Sequence, residues 1–134
     1  MAAGKSVKKK AIVPGAYRAK YDKWHFSPAV ESGGFLFVSG CTGARPEGVV
    51  PGDVTAQFRQ AFRNVGKALS EAGLSFADVV EIVSYHVNLE EHFVEFARVK
   101  DEFVGEPYPA WTAVGVSALA AHGALVEVKV TAKV

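Results

Sequence analysis

The sequence predicts an α+β domain in which one sheet carries two helices on a single face. Three observations point there. Two segments space their apolar residues at helical intervals, several β-branched and aromatic runs alternate in the manner of strands, and glycine or proline clusters separate them. In order these read β-β-α-β-α-β-β, a pattern that fits α+β or α/β with mixed strand pairing. At 134 residues, with 49% hydrophobic and 22% charged side chains, the chain suits one packed domain.

Residues 1–19 are expected to form a flexible basic arm, leaving residues 20–134 as the domain. Up to Lys23 the chain carries seven basic side chains against Asp22 alone, whereas residues 24–134 hold eight basic and thirteen acidic ones. An acidic body is a poor nucleic-acid surface. No apolar run follows Lys8–Lys10, so a secretory signal is not expected. A single cysteine excludes an intrachain disulfide and points to a reducing, cytoplasmic setting.

Lys20–Phe26 is expected as a short edge strand. Gly33-Gly34 then turns the chain into the apolar strand Phe35–Ser39, giving a hairpin. Gly40–Gly52 reads as loop. Asp53 is a credible N-cap for a helix whose buried stripe is Val54, Phe58, Ala61, Phe62, Val65, Leu69 and Ala72, with Gln57, Arg59, Gln60, Arg63, Asn64 and Lys67 opposite and Gly73 as its stop. Val79–Asn88 reads as a strand with Val79, Val83, Tyr85 and Val87 on one side. Asn88 and Glu91 resemble a capping box for a second helix with Phe93, Phe96, Val99 and Phe103 inward.

Pro107–Val126 contains no Asp, Glu, Lys or Arg and has the length of a membrane span. Its prolines, glycines and alternating apolar residues instead predict two strands, Trp111–Leu119 and Ala124–Ala132. Two helices cover one face of such a sheet, and the other is expected to expose rows such as Trp111, Leu119 and Leu125. A cyclic homo-oligomer would cover it.

Chemistry-bearing motifs are sparse. His25, His86, His92 and His122 form no paired-ligand spacing, so no metal is expected. There is no phosphate-binding glycine motif, hence no nucleotide cofactor, and Ser39 and Ser117 lack a nucleophile-elbow context. Cys41 at a strand end reads as a small buried hydrophobe rather than a nucleophile, for want of a placed cation. Glu127 interrupts the apolar run Ala124–Val126 and shares a strand face with Leu125, Lys129 and Thr131. A carboxylate there suits either a surface ladder or general acid–base work.

Gly34-Phe35-Leu36-Phe37-Val38-Ser39-Gly40, Asn64-Val65, Ala72-Gly73-Leu74, Asp78-Val79-Val80, Pro109-Ala110 and Val126-Glu127-Val128 occur in an order and spacing that resemble the RidA (YjgF) family, from about Tyr21 onward. The resemblance implies a chorismate-mutase-like fold and a homotrimer with clefts at its subunit interfaces. It further implies hydrolysis of small reactive imines or enamines to a carbonyl compound and ammonia, with Glu127 matching the water-orienting glutamate. The family's Pro-Ala-Arg-Ser/Thr supplies an arginine that clamps a substrate carboxylate. Here the text is Pro109-Ala110-Trp111-Thr112, so the clamp is missing. Phe26 stands where a pocket tyrosine is common, Cys41 where a glutamine or similar residue follows Ser-Gly, and Ala113 where a cysteine often lies.

On this reading Phe26, Ser39, Gly40, Cys41, Trp111 and Thr112 contact the substrate. An arginine–carboxylate fork contributes roughly 2–3 kcal/mol, so its loss favours an uncharged, aromatic or cationic ligand, with Arg45 as an alternative positive charge. The competing reading is a non-catalytic trimer that binds ligands or unfolded clients in the same cleft. Ribonuclease action through the basic arm, also known in the family, is disfavoured by the acidic body.

Overall fold

The computed structural model describes residues 8–134. The expectation of flexibility for residues 1–7 lies outside them. Six strands, β1 (Lys10–Ile12), β2 (Ala29–Ser32), β3 (Phe35–Thr42), β4 (Val79–His86), β5 (Ala110–Gly115) and β6 (Val126–Lys133), form one mixed sheet in the order β1-β2-β3-β6-β4-β5. Only β4 and β5 pair in parallel. The helices are α1 (Arg18–Trp24), α2 (Val54–Glu71) and α3 (Leu89–Lys100). Within residues 10–19, assigned to the arm by sequence, Lys10–Ile12 pairs with β2.

The hairpin turns at Gly33-Gly34 as expected, both glycines having positive φ. Its first strand, however, is Ala29–Ser32, and Lys20–Phe26 is not a strand: Arg18–Trp24 is helical. Tyr17, Tyr21 and Trp24 recur at i, i+4 and i+7, a spacing that belongs to a helix. Arg18 packs over the Tyr21 ring and Lys20 over that of Tyr17 within this turn.

Asp53 caps α2 by accepting from the Ala56 amide at 2.8 Å, and Phe58, Ala61, Phe62, Val65 and Leu69 are fully buried against the sheet. Phe58, Phe62 and Phe96 meet edge-on or tilted at 5.3–5.4 Å between centroids. At about 2–3 kcal/mol for each such side chain removed from water, these rings decide which sheet face the helices cover.

Two expectations on α2 and α3 are corrected. Gln57 was assigned to the solvent side but is buried, donating to Pro51 O at 3.1 Å while its Oε1 accepts from the Leu125 amide. It thereby satisfies loop backbone that α2 covers. Asn88 makes no side-chain cap; it adopts a left-handed conformation at φ +60°, which the tight passage from β4 into α3 requires and asparagine tolerates.

A register shift between Val79 and Glu81 puts Val79 on the buried side with Ile82, rather than beside Val83. β5 ends at Gly115, short of Leu119. No helix among the described residues is long and apolar enough to cross a membrane. On the uncovered face Phe35, Phe37 and Val114 are exposed. Trp111 and Leu125, expected there, pack instead against the helix-covered core.

Candidate functional site

Glu127 lies on β6 opposite Thr42 of β3 and Tyr85 of β4, on the sheet face that the helices leave open. Beside it, the β3 register shifts between Val38 and Cys41, which brings Gly40 against the carboxylate. A Cβ on Gly40 would collide with the Glu127 side chain, Oε2 first. A glycine is therefore needed for the carboxylate to rest on the strand. Glu127 is half-buried and makes no hydrogen bond or ion pair among the described residues. Its oxygens are free to hold water.

The rest of the β3 end is fixed by local bonds. Ser39 donates its hydroxyl to Ser27 O at 2.6 Å, and its amide donates to Pro28 O at 2.9 Å, which ties the Phe26–Pro28 segment to the strand. Asn64 of α2, placed on the solvent face by periodicity, donates to Thr42 O at 2.9 Å and Ala44 O at 2.8 Å and so pins the chain leaving β3. Gly43 sits against the Gln57 carbonyl, where a Cβ has no room. Burial, then the neighbouring Glu127 carboxylate, pushes the Cys41 thiol up to about 12 against the opposing pull of Lys20. Such a thiol is not a nucleophile at neutral pH.

These residues border a cavity of about 320 Å³ between α1, the β3 end and α2. Phe26, Ser39, Gly40, Cys41 and Arg45 line it, while Trp111, Thr112 and Glu127 do not. β5 is three strand spacings from β3, roughly 14 Å. Within one chain the structure thus separates the predicted site residues into two groups.

At the β5 end, the Trp111 indole faces α3. Its N–H donates to Ser84 Oγ at 2.9 Å, its ring stacks on Phe93 at 5.3 Å, and Lys100 Nζ lies 4.8 Å from the ring centre. Ser84 Oγ also shares a hydrogen bond of 2.8 Å with His86 Nε2. His86 is completely buried edge-on to Phe96, and burial, with His92 nearby, pulls its pKa down to about 4. This Trp–Ser–His chain was not read from the sequence, although Ser84 and His86 alternate with Ile82 on one strand face. Thr112, one residue on, pairs with Val83 and shares the open face with Glu127. Among the described residues no three His, Cys, Asp or Glu side chains gather as a metal site.

Residues 19–134 match the family described as Endoribonuclease L-PSP. The chain belongs to that family, which includes the RidA and YjgF proteins. The RutC family protein YjgH of Escherichia coli is 40% identical over 129 residues, covering 96% of this chain and 97% of its own, and a solved structure of a protein named YJGH superposes with a TM-score of 0.85 over 96% and 98%. RidA from the Antarctic bacterium Psychrobacter sp. PAMC 21119 is 29% identical with a TM-score of 0.79, over 96% of this chain and all of its own. A 2-iminobutanoate/2-iminopropanoate deaminase of Dermatophagoides farinae is 31% identical over 96 residues, 70% of this chain and 74% of that protein. Membership of the RidA family agrees with the order of motifs and with the observed fold.

Proposed function

We propose that this RidA-family protein hydrolyses small reactive imines or enamines, with Glu127 as the residue that orients and deprotonates water. The observation that carries the reading is the half-buried, unpartnered Glu127 carboxylate resting on Gly40 at the open sheet face. Water held by Glu127 adds to the imine carbon while the nitrogen takes up a proton. The resulting carbinolamine then collapses: its hydroxyl proton passes by way of Glu127 to the nitrogen, the carbonyl forms as the C–N bond breaks, and ammonia departs. On this reading backbone groups near Ser39, Gly40 and Cys41 polarise the leaving nitrogen. The named activity of the mite relative supports the same class of reaction.

β5 lies two strand spacings from Glu127 and three, about 14 Å, from the β3 end in one chain, so on this reading Thr112 meets the β3-end residues from a second copy, while the Trp111 indole is held under α3. A homotrimer with clefts between subunits, which also covers Phe35, Phe37 and Val114, accommodates this, and sedimentation equilibrium tests it. Trp111 cannot serve as the carboxylate clamp, since its one donor is spent on Ser84. Imines without a carboxylate at that position are the expected substrates. In a panel of imines generated in situ by oxidases, ammonia release should exceed the buffer rate for at least one, and Glu127→Gln should lower it by on the order of 100-fold or more. Equal rates in both proteins contradict the proposal. The alternative, a ligand-binding or chaperone-like trimer without turnover, rests on the missing arginine and predicts binding that Glu127→Gln leaves intact.

A further inference from the structure

The cavity beside the β3 end has a charge that the proposed reaction does not use. Lys20 from α1, Arg45 from the loop after β3, and Arg63 and Lys67 from α2 all line it. Residues 24–134 hold only eight basic side chains, and three of them are here. Of the other five, all but Lys129 are engaged. Arg59 pairs with Glu102, Arg98 with Glu95 and Glu102, Lys100 with Asp101, and Lys133 donates to Gly34 O.

None of the four cavity cations forms an ion pair or side-chain hydrogen bond among the described residues. The nearby acids are Glu71 beyond Tyr17, Glu127 beyond Cys41, Glu102 near Arg63 and Glu47 in the Arg45 loop. The loop is itself fixed, with the Arg45 amide donating to Val49 O and the Gly48 amide to Arg45 O, each at 2.8 Å.

Tyr17, Phe26, Pro28 and Pro46 add flat apolar surface to the lining, and Ser39, Thr42, Gln60 and Asn64 add neutral polar groups. At about 320 Å³ the space is that of a small-molecule site. Four like charges lining one cavity of an otherwise acidic body favour an anion within it. We propose that this cavity binds a small organic dianion with a flat apolar body, such as an aryl phosphate, its anionic group held by Arg63, Lys67, Arg45 and Lys20 and its ring between Tyr17 and Phe26.

The cavity shares Phe26, Ser39, Gly40 and Cys41 with the expected substrate contacts, and its anion binding is read without turnover. Its test is calorimetric titration of the full chain at low salt with phenyl phosphate, benzyl alcohol and benzylamine. Phenyl phosphate should bind saturably with one site per chain, and the two neutral and cationic analogues should not. Arg63→Gln combined with Lys67→Gln should weaken binding by about tenfold or more, equivalent to one factor of ten in Kd. Lys20→Gln, reached from a different element, should weaken it as well. Lys10→Gln with Lys133→Gln, which removes the same charge outside the cavity, should change Kd less than about twofold. Absence of saturable binding to about 10 mM, equal loss in the outside pair, or equal binding of benzylamine overturns the proposal. Glu127→Gln should keep phenyl phosphate binding, so loss of ammonia release with retained binding defeats only a reading in which the two are one site.

Discussion

The two ends of the sheet treat their polar groups in opposite ways. At the β5 end the indole N–H of Trp111, the hydroxyl of Ser84 and the ring of His86 are joined in one buried chain under α3, with Phe93 and Lys100 against the indole. At the β3 end the Glu127 carboxylate and four cations form no ion pair or side-chain hydrogen bond among the described residues, while the backbone around them is held tightly by Ser39, Asn64 and Gly43. At the β5 end the hydrogen-bonded groups hold the fold together, with His86 Nδ1 alone among them buried without a partner. Free groups on a rigid frame are what binding and catalysis need, because the protein need not break its own bonds to engage a ligand.

The frame of the β3 end is most easily broken at Gly43. A Cβ there meets the Gln57 carbonyl of α2, which is backbone and cannot swing aside, so Gly43→Ala should cost on the order of 3 kcal/mol in a chemical denaturation curve. A loss below about 1 kcal/mol would show that α2 and β3 leave room for a methyl group at this point.

The β5 end should reveal itself through pH. His86 is neutral in the fold, its pKa pulled down to about 4 by burial, whereas in the unfolded chain it takes up a proton below about 6.5. Its contribution is therefore complete above pH 6.5 and is lost progressively as pH falls toward 4, roughly 3 kcal/mol in all. His86→Leu should flatten that part of the stability–pH profile. An unchanged slope would mean that the loss arises from other groups.

Much of this contrast was legible in the sequence, but unevenly. Hydrophobic periodicity located α2, α3 and the central strands, since apolar spacing and burial have the same cause. Periodicity failed where a polar residue serves backbone: Gln57 and Asn64 both read as solvent-facing, and both satisfy loop groups distant in sequence. It fails also for α1, whose Tyr21 and Trp24 fall within the expected edge strand Lys20–Phe26. The resemblance located Glu127 and noted that tryptophan replaces arginine at position 111. No pattern in the chain could show that the indole is turned under α3, or that Lys20, Arg63 and Lys67 meet Arg45 across three elements.

A finer test separates the presence of the carboxylate from its placement. Gly40→Ala leaves Glu127 in the chain but displaces its flexible end, so stability should change by less than about 1 kcal/mol while ammonia release falls about tenfold. Loss of folding instead would make Gly40 a structural residue alone.

The most direct measurement sets both ends against each other on one imine. Steady-state ammonia release should show kcat reduced about 100-fold or more in Glu127→Gln, whereas Trp111→Phe, which keeps a ring against Phe93 but loses the donor to Ser84, should leave kcat within a few-fold and act mainly on KM. Equal kcat in wild type and Glu127→Gln, or a larger loss of kcat in Trp111→Phe, would contradict the assignment of chemistry to the β3 end.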